Sequence, residues 1–212
     1  MLVCLMSNLI NQKSLSLVIG NGYLGRHLVP LLKTELSCGI SRSSKNQSFV
    51  PATGRFTSLE CDIFNEKKLS KLSASLDNTL MDVYFMLPPS TFPSDEPVRA
   101  LEPLFSLLRS LTVRRIVVVS SSSVYGTQRE GLVNSESAVD ISTERAARIV
   151  QIEQAWVSSF STVAIVRLAG LYGPNRVVGK ASVLAGQALD GSGDSYINLL
   201  RIEDAANAIH SV

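Results

Sequence analysis

The sequence predicts one α/β domain built on a doubly wound parallel sheet. Three observations carry this. Short apolar runs alternate along the chain with segments whose apolar residues recur at helical spacing. The first run turns into its helix through a glycine-rich hexapeptide, Gly20-Asn21-Gly22-Tyr23-Leu24-Gly25. The 212 residues are 45% hydrophobic and 18% charged, enough for one sizeable core. Strands separated by helices of this length form βαβ units, and right-handed crossovers wind the helices onto both faces.

The elements follow in order. Leu15–Ile19 is a short apolar run of the buried-strand kind. Leu24–Lys33 carries Leu24, Leu28, Leu31 and Leu32 on one helical face. Leu36–Ile40 reads as the second strand, and the polar residues 42–55 as a loop. Phe56–Cys61 is the third strand, ending at Asp62. Glu66–Leu76 repeats Leu69, Leu72 and Leu76 at helical spacing. Met81–Leu87 is the fourth strand, stopped by Pro88-Pro89. Asp95-Glu96-Pro97 opens a helix with acids and an early proline, and Leu101, Leu104, Phe105 and Leu108 continue its apolar face. Arg115–Ser120 is the strongest strand. Ser142–Phe160 is a long helix, Thr162–Leu168 a further strand and Glu203–Val212 a last helix. Residues 1–13 precede this domain, 14–212, as an extension.

Composition removes several function classes. The net charge is +2 with no long basic run, so nucleic-acid binding has no electrostatic support. No stretch approaches the roughly 18 apolar residues of a membrane helix. The apolar start lacks a basic region and a small-residue cleavage site, so no signal peptide is expected. Cys4, Cys38 and Cys61 are odd in number and widely spaced, against a disulfide framework or a zinc site and in keeping with the cytoplasm. His27 and His210 have no metal-ligand partner at useful spacing. No histidine accompanies the serine run 120–123, so a Ser-His-Asp triad is not supported.

The hexapeptide is where chemistry enters. In a Rossmann turn the first glycine permits the bend, the second admits a pyrophosphate and the third lets the helix pack closely. Gly20, Gly22 and Gly25 fit these roles, and the helix start offers free N–H groups and a positive dipole end. About 20 residues on, a site for NAD would have an acid to hold the ribose hydroxyls. Here stand Ser41-Arg42-Ser43-Ser44-Lys45. Arg42 can pair with a 2′-phosphate and Ser43 can donate to it, which favours NADP over NAD. The alternative is a solvated polar loop.

Five segments together resemble the extended short-chain dehydrogenase/reductase superfamily, the NAD(P)-dependent epimerase/dehydratase group acting on nucleotide sugars. They are GNGYLG at 20–25, CDIF at 61–64, VVVSSSSVYG at 117–126, VRLAGLYGPNR at 166–176 and LLRIEDAANAI at 199–209. The form GxGYLG is similar to that of an atypical subgroup. The resemblance implies cofactor contacts from Asn21, Tyr23 and Leu24 of the loop. It sets Asp62 and Ile63 beside the adenine, and Leu87 and Pro88 along the channel with Ser120. Gly173 and Pro174 would border the nicotinamide, and Ser121 falls where the family has its catalytic serine or threonine. Asp204 sits in a segment that orders loops near the site, or is simply an acid at a helix start. Tyr125 is a candidate acid/base or a packing aromatic.

The family's Tyr-x-x-x-Lys dyad is missing. Setting Glu153 four residues past the lysine position puts Arg145 at the tyrosine and Ile149 at the lysine. No tyrosine lies between Tyr125 and Tyr172, and no lysine between Lys71 and Lys180. A lysine beside the phenol is what brings its pKa within working range. Arg145 or Arg148 can bind an anion, or both face solvent with Glu144 and Arg148 paired. Members of the family also run on past the RIEDAANAI helix, so residues 174–200 are expected to be a reduced substrate lobe. The resemblance implies a small-molecule substrate and, by analogy, a homodimer through helices 97–110 and 143–160. Two functions stay open: an oxidoreductase-like family enzyme, and a non-catalytic dinucleotide-binding sensor or partner-binding module. A fold with no ligand is the third.

Overall fold

The computed structural model describes residues 14–42, 54–73, 76, 79–93, 96–126, 131–187 and 197–212. Ser43, Ser44, Lys45, Asp95 and the extension 1–13 lie outside them. Six parallel strands form the main sheet: β1 (Ser14–Ile19), β2 (Leu36–Ser41), β3 (Arg55–Glu60), β4 (Leu80–Phe85), β5 (Val113–Ser121) and β6 (Val163–Leu168), in the order β3-β2-β1-β4-β5-β6. The order reverses between β1 and β4, so their carboxyl ends splay and leave a crevice.

Helices cover both faces. α2 (Glu66–Ser73), α3 (Pro97–Arg109) and α4 (Glu144–Ser159) pack on one face. There Trp156 lies against Phe85 and Phe105, with ring centroids 4.9 and 4.7 Å away. α1 (Tyr23–Leu28) and α6 (Ile202–Ser211) cover the other, burying Leu24, Leu28, Ile202, Ala205, Ala206 and Ile209. Leu15, Leu17, Val18 and Ile19 of β1 are all buried because both faces are covered.

Two boundaries differ instructively from the sequence reading. The first helix stops at Leu28 and tightens into a 3-10 turn, Val29–Leu31. Pro30 has no N–H for a helical bond and its ring crowds the preceding turn. Leu32 is buried all the same. β5 begins two residues before the expected Arg115, so that Arg114 and Arg115 both reach the buried Asp82 of β4. The sequence reading also missed a second, two-stranded parallel sheet of β7 (Gly170–Tyr172) and β8 (Leu199–Arg201). A five-residue helix, α5 (Lys180–Leu184), stands between them in the chain. Among the described residues no helix is long and apolar enough to cross a membrane.

Candidate functional site

A cleft of about 650 Å³ opens at the carboxyl ends of the strands, over the reversal point. Its floor begins where β1 runs into the glycine loop. Gly20 bends there with φ +92°, and a Cβ would come within 3.0 Å of Leu87 and of the Met86 backbone. The Gly20 N–H donates to the Ile40 carbonyl (3.0 Å), which ties the loop to β2. Only glycine meets both demands.

Gly22 is different: a Cβ there would meet nothing within 4 Å. It precedes α1, and no side chain caps that helix end. The bare backbone faces the cleft, as close approach of a phosphate group requires. Gly25 makes room in another direction. The Asn21 side chain, buried, occupies the space that a Cβ would need at both Gly25 and Gly39. Asn21 thus knits α1 to β2 as well as lining the cleft.

Tyr23 reaches along the mouth. Its phenol donates to the Pro174 carbonyl (3.0 Å), and the Arg176 guanidinium lies over its ring at 5.5 Å. Gly173 packs on Tyr23 and Ile202. A tight turn pairs Gly173 with Arg176 through two 3.0 Å backbone bonds, with Asn175 at φ 63°. Gly173 and Pro174 therefore support Tyr23, while Arg176 is the residue of that turn that lines the cleft.

The remaining walls bring several of the expected residues together. Arg42 lies exposed at the end of β2, and Asp62 and Ile63 follow β3. Asp62 Oδ1 accepts from the Phe64 N–H (3.2 Å), so it also shapes its own turn. Leu87 and Pro88 follow β4, and Ser120 and Ser121 end β5. Ser121 Oγ accepts from the Ser123 N–H (3.2 Å), capping the turn Ser122–Tyr125 while lining the cleft. Cys61 is in the wall too; burial pushes its pKa up and keeps it a thiol.

The face of α4 turned to the cleft carries Arg145, Ile149, Ile152 and Glu153. Arg145 is exposed at the rim and Ile149 is buried. Among the described lining residues Tyr23 is the one tyrosine and there is no lysine. Glu153 is not free for proton transfer. It accepts from Ser120 and is held by Arg167 through two bonds of 2.9 and 2.7 Å. Arg167, its pKa raised chiefly by that carboxylate, also donates to the Tyr125 hydroxyl (3.1 Å) and lies over its ring. Tyr125 is buried on the side of this ion pair, outside the lining of this cleft.

Sequence reasoning missed Arg176 and the part Arg167 plays; Arg145 was seen, with its role open. The signal for Arg167 was an arginine in an otherwise apolar strand. Asp204 is exposed in the first turn of α6, a place that suits an acid by itself. Among the described residues no cluster of three or more His, Cys, Asp or Glu could hold a metal.

Comparisons with known proteins bear on family and fold. Residues 16–212 match the model described as NAD dependent epimerase/dehydratase family. Protein YeeZ of Escherichia coli strain K12 is 30% identical over 200 residues, which cover 91% of this chain and 70% of that protein. A dTDP-glucose 4,6-dehydratase from Streptomyces venezuelae, solved with NAD bound, superposes with TM-score 0.69 at 18% identity, over 92% of this chain and 70% of its own. A UDP-glucuronic acid 4-epimerase from Bacillus cereus, solved with UDP-glucuronic acid and NAD, gives TM-score 0.67 at 21% identity, over 91% and 70%. At these identities the likeness to the solved structures is one of fold.

Proposed function

The chain belongs to the NAD dependent epimerase/dehydratase family, and from that premise we propose that its cleft binds a nicotinamide dinucleotide, NADP in preference to NAD, beside a nucleotide-sugar-like substrate. One observation carries the reading: the bare backbone at Gly22, with open space where a side chain would sit, on the floor of a cleft that runs from Arg42 to Ser121. The residues present fit the group. Gly20 to Leu24 would receive the pyrophosphate on backbone N–H groups. Asp62 and Ile63 would flank the adenine, and Arg42 would pair with a 2′-phosphate.

Bound there, the dinucleotide would supply hydride transfer. This chain's own part is then to orient and to shield. Leu87, Pro88 and Ile149 give part of the lining an apolar character, which would shield the reacting groups of a bound ligand. Ser121, anchored as a turn cap, would keep its O–H for a substrate hydroxyl or carbonyl.

The second reading, a non-catalytic dinucleotide-binding protein, is favoured by a specific feature: Arg145 and Ile149 stand on α4 where the resemblance puts a tyrosine and a lysine. Oxidation of bound NADPH on adding nucleotide sugars separates the two. A titration followed by reduced-nicotinamide fluorescence tests the shared premise. NADPH should bind more tightly than NADH, and Arg42→Ala should weaken NADPH by roughly tenfold or more while leaving NADH nearly unchanged. Binding of NADH alone would remove the Arg42 argument, and binding of neither would remove the cofactor reading.

A further inference from the structure

We propose that Arg145 recognises an oxyanion, a carboxylate or phosphate, on the ligand at the reacting end of the cleft. The inference rests on the dinucleotide reading above and adds the chemical class of the second ligand. Among the described residues, three guanidiniums line the cleft: Arg42 beyond β2, Arg176 beside the glycine loop and Arg145 on α4. Two of the described carboxylates line it, and both are engaged. Glu153 is clamped by Arg167 and Ser120, and Asp62 accepts from its own turn. Among the described residues nothing acidic pairs with Arg145.

Helix geometry fixes where that charge stands. Arg145 lies four residues before Ile149 and eight before Glu153, on the same face of α4, and all three line the cleft. The side of the cleft that closes on Ser121 thus carries a cation above an apolar patch, and the carboxylate beside that patch, Glu153, is tied to Arg167 and Ser120. A guanidinium forms two parallel bonds to a carboxylate or phosphate and does not release its proton. It therefore holds an anion rather than moving a proton. Arg176, propped over Tyr23, adds a second positive charge at the mouth and draws the same class of ligand.

Two pairs of probes, titrated against NADPH-loaded protein by calorimetry, separate the sources of the oxyanion. UDP-glucuronate against UDP-glucose isolates a sugar carboxylate; UDP against uridine isolates a phosphate. Wild type should prefer the anionic member of at least one pair by about tenfold or more. Arg145→Met should abolish that preference and Arg145→Lys should restore part of it. Arg145 is exposed, so thermal unfolding of each variant should match wild type and verify folding. No preference in either pair, or one that survives in Arg145→Met, would overturn the proposal. Failure of NADPH to bind would instead remove the cofactor reading, and the same probes on unloaded protein would still decide the role of Arg145.

Discussion

At Gly22 the structure leaves a gap with no partner atom, and that gap makes a sharp test. Gly22→Ala puts a methyl group into open space, with no heavy atom within 4 Å of it. Unfolding free energy should stay within about 0.5 kcal/mol of wild type. NADPH affinity should fall by roughly tenfold or more, because the added methyl would stand between the backbone and a phosphate seated as proposed. Equal affinity would mean that the loop does not seat the dinucleotide. Cys38 offers a test by pH. Burial pushes its thiol up to about 12, with Cys61 adding a smaller push. An unfolded chain ionises that thiol near 9, so above that pH the unfolded state binds fewer protons than the folded one. This contribution to stability is fully present below pH 9 and is lost as pH rises toward 12. Cys38→Ala should flatten that alkaline slope in denaturant titrations, and an unchanged slope would assign it to other groups. The three loop glycines were legible because turn chemistry is local. The seat of Asn21 was not, since it depends on Gly39 in another strand.

Among the elements, β5, α4 and β6 are joined by the Glu153–Arg167 pair more than by any helix propensity. Both side chains are largely buried, 7% and 22% exposed. Removing one charge leaves the other stranded, at a cost of about 3 kcal/mol. Glu153→Gln should therefore lower the unfolding midpoint by roughly 6–12 °C. Replacing Arg167 by Met in the same chain should recover part of the loss, while a single-variant shift under about 2 °C would show the pair to be ornamental. The strands were readable from short apolar runs, which needed only a period and a length. Helix ends were less so: Leu31 and Leu32 continue the apolar spacing of the first helix, yet Pro30 ends it. β7 and β8 were not readable at all. Three residues each, half exposed, carry no period, and they pair because α6 and the end of β6 bring them together.

For the molecule as a whole, the alternation of strands and helices was enough to foresee a doubly wound sheet with helices on both faces; where its strand order turns back, the structure opens a crevice. The sequence did not reveal who meets in that crevice, because Arg145 and Arg176 reach it through tertiary packing. The phenol of Tyr23 shows what this means in time. Its bond to the Pro174 carbonyl joins positions 151 residues apart. The entropy of closing so long a loop is recovered only after β1 through β6 have assembled. The mouth is then expected to be completed late in folding. Tyr23→Phe should leave the refolding rate unchanged and quicken unfolding in stopped-flow experiments, and a slowed refolding arm would place this contact in the nucleus instead. On that expectation, the rim that a ligand would meet first is the part of the chain that finishes late and loosens early.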